Sequence, residues 1–480
     1  MKTLKSTIIY LIATVVEKGL GFLLIPIYTH YLSTQDYGIL TLIQAFVAVI
    51  IVLFSLSLNG AASRYHFVGK DLYKRFHYGN VFLSVIIIAF VFSIILFFIK
   101  NYIFKIIGNI PINPYFYLAI SISYLSIIFS IYQLKLQMEH RAIHYSINSI
   151  IKFFIMAIFS IIFVVYYKQG AEGVLYGQLI SLLFIGIFIV FHLSKEIKYN
   201  LNIKLLKRNI KYSIFLVPHN LSGIALQLMD RFFISNMINI SQAGIYALGG
   251  QISGIIGILS VLINRAATPS ILKAFKDKNY EYLKDLSIIN IMFISILAMF
   301  FSLFSNNIIL LIAPTEYAQS AIIINILSLY FIFQMYYFMI VGVLFYVERA
   351  TKLMPLITFL SLICNLVLNY FLIRLYGMIG AAIATLLSIM IVVYLVIIIS
   401  NKYIKVGFNH FKIHMIIFVS VIAGNISWIY NTNVMLKIVV FIFITFILLF
   451  LERNNNLLFD LKGKIHEKIN KYFFKIFLQK

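Results

Sequence analysis

Residues 79–99, GNVFLSVIIIAFVFSIILFFI, carry no charged side chain, and Lys74, Arg75 and Lys100 stand just outside them. Wound as a helix at about 1.5 Å per residue, such a run reaches about 30 Å, the thickness of a bilayer's hydrocarbon core. The stretch therefore reads as a transmembrane helix. Working outward in both directions, the same reading recurs near 8–30, 39–58, 115–133, 145–166, 174–192, 213–236, 244–264, 286–312, 318–346, 353–373, 379–400, 413–430 and 435–452. The expected fold class is an all-α integral membrane protein with about 14 transmembrane helices.

With 62% hydrophobic and 11% charged residues, a soluble chain of 480 residues would expose more apolar surface than water tolerates. Charge placement sets the expected orientation, because loops that stay in the cytoplasm hold the excess of Lys and Arg. Of 39 such residues, Lys100, Lys105, Lys168, Arg374 and Lys437 fall in one set of alternate gaps, and Lys18, Lys152 and Arg231 fall inside spans. All the others occupy the N-terminus, the intervening gaps or the C-terminal tail. Both termini are thus expected in the cytoplasm, as an even span count requires, in a multi-pass protein of the cytoplasmic (inner) membrane. The net charge of +24 is spread over separate loops, so it is a topology signal and no nucleic-acid partner is expected. Glu17 and Lys18 make the first span too polar for a signal peptide. Cys364 is the single cysteine, which rules out an intramolecular disulfide.

Short anchors repeat in order at an offset of about 206 residues. NGAAS at 59–63 matches NRAAT at 264–268, Arg141-Ala142 matches Arg349-Ala350, and GAEGVLYGQLIS at 170–181 matches GMIGAAIATLLS at 377–388. Gly38, in STQDYG, matches Gly244, in SQAG. The unit is six helices. Because six is even, the halves are expected as parallel repeats about an axis along the membrane normal, enclosing a central cavity. The expected organisation is an N-terminal lobe at 1–200, a C-terminal lobe at 201–405, and two added helices with a basic cytoplasmic tail at 406–480, the added pair not being needed for the two-lobe core.

A charge at the bilayer centre costs about 2.5–3.5 kcal/mol on insertion scales, so polar groups inside spans mark partners or a wet cavity. They concentrate in the first helix of each half: Glu17, Lys18 and Pro26 in span one, and Pro218, His219, Asn220, Gln227, Asp230 and Arg231 in span seven. On a helical wheel His219, Asn220, Gln227, Asp230, Arg231 and Ser235 share one face, which is expected to line the cavity. Pro26 and Pro218 are expected to bend these helices. Arg231, Lys18 and Lys152 suit capture of a phosphate or pyrophosphate, or alternatively structural ion pairs and snorkelling. Glu17 and Asp230 suit a coupling H⁺ or Na⁺. Arg64 and Arg265 follow spans two and eight at the cytoplasmic mouth, where a headgroup would first arrive; topology alone also accounts for them. No metal site is expected, since His140 and His144 beside Glu139 have no third convergent ligand, and no cofactor motif appears.

The stretch from Gly19 to Ser63, with GLGFLLIPIYTHYLSTQDYGILTLIQAF and NGAASRY, and LMDRFFISNMINISQAGIYALGGQISG from Leu228 to Gly254, resemble the Wzx-like polysaccharide-export flippases of the MOP superfamily. That resemblance implies two six-helix lobes and translocation of an undecaprenyl-pyrophosphate-linked oligosaccharide by alternating access, with ion coupling, in O-antigen, capsule or exopolysaccharide biosynthesis. It also implies membrane lipids as surroundings and other assembly proteins, a polymerase or a chain-length regulator, as partners. Asp230-Arg231 is the D-R pair of the resemblance, and Glu17 and Lys18 are polar groups of its first helix. His30 stands where many relatives carry arginine.

Two other transporter readings stay open, an ion-coupled multidrug or organic-cation exporter and a lipid II flippase. An enzyme is not expected: the external gaps are short, with Asp36, Glu172 and Glu316 their acidic residues, and no paired carboxylates, Ser-His constellation or Walker motif appears.

Overall fold

A computed structural model describes residues 19–68, 71–351, 353–403, 406–430, 433–452 and 455. It is helical throughout, with no strand among the described residues. Glu17 and Lys18, and the basic tail beyond 455, lie outside the described residues.

The chain forms two compact units, Met1–Ala247 with Ile312–Tyr317, and Leu248–Leu311 with Ala318–Lys480. This partition follows packing and differs from the sequence repeat, whose halves meet at 200. The reason lies in α9 and in 312–317, which fold onto the first helices of the chain.

The first unit begins with α1, helical over 19–31. There follow α2 (Thr34–Ser55), α3 (Leu58–Tyr65), α4 (Asp71–Ile106), α5 (Tyr115–Met138), α6 (Ala142–Ile161, continued by a π-helical turn, Ile162–Tyr166) and α7 (Gly170–Glu196). A linker helix α8 (Ile203–Ser213) leads to α9 (Leu216–Met237) and the start of α10 (Ile240–Lys276). The second unit takes the rest of α10, then α11 (Tyr280–Leu303), α12 (Ser305–Ile312), α13 (Ser320–Leu344), α14 (Glu348–Thr351), α15 (Met354–Tyr403), α16 (His410–Tyr430) and α17 (Val434–Leu451).

Ten of the described helices are long and apolar enough to cross a membrane. One of them, α15, joins expected spans eleven and twelve, with its break at Gly377 (φ 61°, ψ −142°). Span one is described only from residue 19, span seven is diluted by its polar residues, and span thirteen is the shorter apolar helix α16. The chain is a multi-pass membrane protein; fourteen crossings is a reading of the sequence.

The repeat shows in the backbone. Gly170 (φ 57°) and Gly377 (φ 61°), equivalent by sequence, both have a positive φ that a side chain resists. Ser33 and Asn239 are equivalent too, and both cap: Ser33 Oγ accepts from Asp36 N at 3.0 Å and Asn239 Oδ1 from Gln242 N at 2.8 Å, opening α2 and α10. Symmetry fails after span two. Leu56 and Ser57 turn left-handed (φ 41° and 55°) and detach α3, whereas α10 runs on unbroken through the matching stretch to Lys276, with Pro269 inside it.

Packing relies on small residues where helices meet. Gly173 and Gly177, spaced as GxxxG, press α7 onto α6 so closely that a Cβ at Gly177 would lie 2.5 Å from Ser160 N. In the second unit, Met335, Tyr336, Ile340, Ile291 and Val393 are buried in one cluster. Contrary to the expected add-on, Ile413, Ile416 and Leu448 of α16 and α17 belong to that same core. Ser302 Oγ donates to the Gly424 carbonyl at 3.0 Å, and Lys437 Nζ to Asn307 Oδ1 at 2.9 Å, tying the pair to α11 and α12. Side chains project from one helix into the surface of another, so an apolar pair placed beside α11 becomes core whatever its place in the repeat.

Candidate functional site

The polar faces of α1 and α9 divide into two regimes. At the end away from the basic gaps, they are sealed. Thr29 Oγ1 of α1 donates to the Ile312 carbonyl at 2.8 Å, and Ser235 Oγ of α9 donates to the Ile107 carbonyl at 3.1 Å. Thr29 and Ser235 are repeat equivalents, and so, within a residue, are Ile107 and Ile312. Each half's first helix thus holds the segment that follows the third span of the other half. Asn236 adds a hydrogen bond to the Ile106 carbonyl, and Tyr317 Oη donates to the Leu32 carbonyl at 3.0 Å, with its ring edge-on to Tyr37 at 5.9 Å. Thr29 is 1% exposed, and Ser235 and Tyr317 are buried. Gly38 and Gly244 complete the seal: a Cβ on either would strike backbone of the other repeat, Ile240 O for Gly38 and Thr34 O for Gly244. Only residues without a Cβ permit that approach.

The basic end of the same two helices is open. A Cβ added at Gly19, Gly21 or Gly223 would meet nothing within 4 Å among the described residues, and His219, Asn220 and Gln227 are exposed. Asn220 Nδ2 reaches Ser57 Oγ at 3.0 Å, so it is positioned rather than loose. The expected continuous polar face of span seven is therefore half vestibule and half seal, because its outer residues are consumed by contacts that the wheel cannot show.

The charged candidates do not converge. Asp230 is buried, and Tyr246 Oη donates to its Oδ2 at 2.5 Å. Arg231 is half-buried near Asp230, Tyr37 and Tyr246, at the sealed end. Lys152 of α6 sits with Nζ 4.5 Å from the Phe129 ring centroid. Arg64 is exposed on α3, its guanidinium 4.4 Å from the Tyr212 ring and 5.8 Å from the Tyr65 ring. Arg265 is exposed within α10, on a helix instead of in a gap. Pro26 stands inside continuous helix. Pro218 does not bend α9: it occupies the first turn, where a missing N–H breaks no helical bond, and so it marks the helix start. Among the described residues no group of His, Cys, Asp and Glu could hold a metal ion.

Two arrangements at the basic end escaped the sequence reading. Glu196, ending α7, is bound by Lys135 and by Arg141 at 2.7 Å, and lies 3.1 Å from His192. Lys135 also pairs with Glu139 at 2.8 Å. Burial alone would raise the Glu196 pKa, but hydrogen bonds and charge from Lys135 and Arg141 bring it down to about 2. The signal available was the scarcity of acids: Glu139 and Glu196 stand among 15 in the chain, each near bases in the gaps. The second arrangement pins the linker. Asn202 caps α8, Arg208 lies 4.2 Å from the Tyr65 ring and bonds Tyr73 Oη, and Arg75 donates to the carbonyls of Lys195 and Glu196 at 2.9 and 3.0 Å.

Residues 3–275, more than half of the chain, match the family described as "Polysaccharide biosynthesis protein". The chain belongs to that family. Within curated proteins, the "Lsg locus putative protein 1" of Haemophilus influenzae is 24% identical over 292 residues, 58% of this chain and 68% of that protein. An uncharacterised membrane protein of Methanocaldococcus jannaschii is 24% identical over 410 residues, 81% of this chain and 95% of that protein. Among solved structures, the lipid II flippase MurJ in an inward closed conformation superposes with a TM-score of 0.74, at 17% identity, covering 93% of this chain and 99% of that one. An inward-facing multidrug-resistance MATE transporter of the MOP superfamily gives 0.61, at 15% identity, covering 83% and 95%. The family member described here thus shares its fold with these solved transporters.

Proposed function

We propose that this member of the polysaccharide biosynthesis family flips a lipid-linked oligosaccharide, carried on undecaprenyl pyrophosphate, across the cytoplasmic membrane by alternating access. The observation that carries the reading is the asymmetry of α1 and α9, sealed at one end by paired hydrogen bonds and open at the other beside Gly19, Gly21 and Gly223. A vestibule on the basic side is where a cytoplasmic anionic headgroup would enter, with Arg64 at its mouth. His219, Asn220 and Gln227 offer neutral hydrogen-bonding groups suited to sugar hydroxyls. Arg231 would meet the headgroup as the seal opens. Glu17 and Asp230 are the residues for a coupling H⁺ or Na⁺, and the Tyr246 hydroxyl on Asp230 would have to yield for that role. In this reading the protein performs no bond chemistry, its termini are cytoplasmic, and a polymerase and chain-length regulator act on the delivered repeat unit.

The test is the sidedness of the lipid-linked pool in cells lacking the gene, restored with native protein or with Arg231→Ala. Support is accumulation of undecaprenyl-linked units on the cytoplasmic leaflet and loss of surface polysaccharide, with no rescue by Arg231→Ala at normal expression. An unchanged pool with raised sensitivity to cationic drugs would instead identify a drug exporter, and accumulation of lipid II a peptidoglycan-precursor flippase.

A further inference from the structure

A second site lies on the outer surface of the first unit, apart from the α1 and α9 faces. Near the basic end, α6 and α7 border a cavity of 690 Å³. Ile147, Ile151, Phe184, Ile187, Phe188 and Phe191 form its walls, and all six are exposed. From His144 to Ile155, the positions of α6 that line it span 12 residues of helix, or about 16 Å at the helical rise. Its volume is that of a ligand pocket, and its walls are hydrocarbon in character.

Polar groups should be absent from a plain lipid-facing surface, since the bilayer offers them no partner. Here His144, Asn148 and His192 line the cavity, with Tyr132 at its floor. Asn148 is 5% exposed. At the basic-end rim stands an exposed cation, Lys195, whose Nζ lies 4.4 Å from the ring of the lining residue Phe191. The nearby acids offer no competing attraction, because Glu139 and Glu196 are both engaged by Lys135 and Arg141. The rim is therefore net positive, while the cavity below it is apolar.

We propose that this cavity binds an anionic glycerophospholipid of the adjacent leaflet, one acyl chain running between α6 and α7 and the phosphate resting at Lys195 and His144. Basic pockets at the ends of transmembrane helices recognise anionic headgroups in this way. Bound there, the lipid bridges α6 to α7 beside the Glu196 network, bracing the first unit from outside. The inference requires only that the chain is membrane-embedded, so it stands or falls separately from the flippase reading.

The test is native mass spectrometry of the full chain released from nanodiscs containing equal dioleoyl phosphatidylglycerol and dioleoyl phosphatidylcholine. The expected result is retention of one phosphatidylglycerol in preference to phosphatidylcholine. Lys195→Ala should weaken that preference about fivefold, the effect of one surface cation near a headgroup. Ile151→Trp, which fills the cavity from an exposed position, should abolish retention while matching the melting temperature of the native protein once both are stripped of lipid. Equal retention of both lipids, or full retention by Ile151→Trp, overturns the proposal. So does one-for-one displacement by undecaprenyl phosphate at lower concentration, which would assign the cavity to a polyprenyl chain.

Discussion

Removing the hydroxyls of Thr29 and Ser235 together tests whether the seal sets the conformational balance. The variant is Thr29→Val with Ser235→Ala, which keeps shape and deletes the two bonds to the Ile312 and Ile107 carbonyls. Both hydroxyls also contact carbonyls of their own helix, Thr29 at Ile25 (3.0 Å) and Ser235 at Phe232 (3.0 Å). A hydroxyl has one proton, so it turns wholly to that local carbonyl only when the seal opens, and the sealed state alone relies on it to satisfy the Ile312 or Ile107 carbonyl. The difference is two long-range hydrogen bonds at about 1 kcal/mol each, or about 2 kcal/mol lost from the sealed state alone. A shift of that size multiplies the unsealed population about 30-fold. The assay is pulsed electron–electron resonance between spin labels at Gln35 and Ile238, both exposed, in a Cys364→Ser background. The native protein should give one short distance, and the double variant a second, longer population of comparable weight; each single variant should shift it about fivefold. A distance distribution unchanged in a well-folded double variant would refute the reasoning, since the hydroxyls would then contribute equally to both conformations.

Glu196→Gln should lower the melting temperature of the purified protein by removing about 2–3 kcal/mol, because Lys135, with a side chain 6% exposed, keeps only Glu139 as partner. The folded pKa of Glu196 is about 2, below the ordinary carboxylate value, so its contribution is complete above the ordinary value and is lost as pH falls towards about 2. Native protein should therefore lose stability between about pH 4.5 and 2, and Glu196→Gln should be flatter over that window in a pH-resolved thermal melt. Gly244→Val should cost at least about 1–3 kcal/mol, because its Cβ meets the Thr34 carbonyl and the Gly38 backbone. Yield of monodisperse protein reports it, and Gly254→Val, in open space, is the control.

The apolar spans and the repeat were legible because both are written in local sequence: a run such as 79–99 can hardly be anything but a membrane helix, and Gly170 and Gly377 share a positive φ as well as a motif. The wheel found that His219, Asn220, Asp230 and Ser235 share a face. It had no means of showing that residues near 107 cover the outer part of that face, or that 312–317 cover the outer end of α1, since those contacts join residues 128 and 283 apart. Pro218 was misread as a bend because its effect depends on where the helix starts, and the short break at 214–215 carries no strong signal. The Glu196 network was hidden for a related reason. Positive-inside reasoning counts Lys135 and Arg141 as topology markers, and the same residues are also structural partners.

The crossed seal has a consequence for biogenesis. When the ribosome has made the first three spans, Ile107 waits for a partner that is 128 residues away, and Thr29 waits for a carbonyl 283 residues away. At about 5–20 residues per second, the second delay is roughly 15–60 s. Throughout it, the first helix has its outer polar group in the membrane with only its own backbone for company. The nascent N-terminal half must therefore be inserted without its lock and hold its topology by flanking charge alone, and the last act in closing the seal is the arrival of residues 312–317.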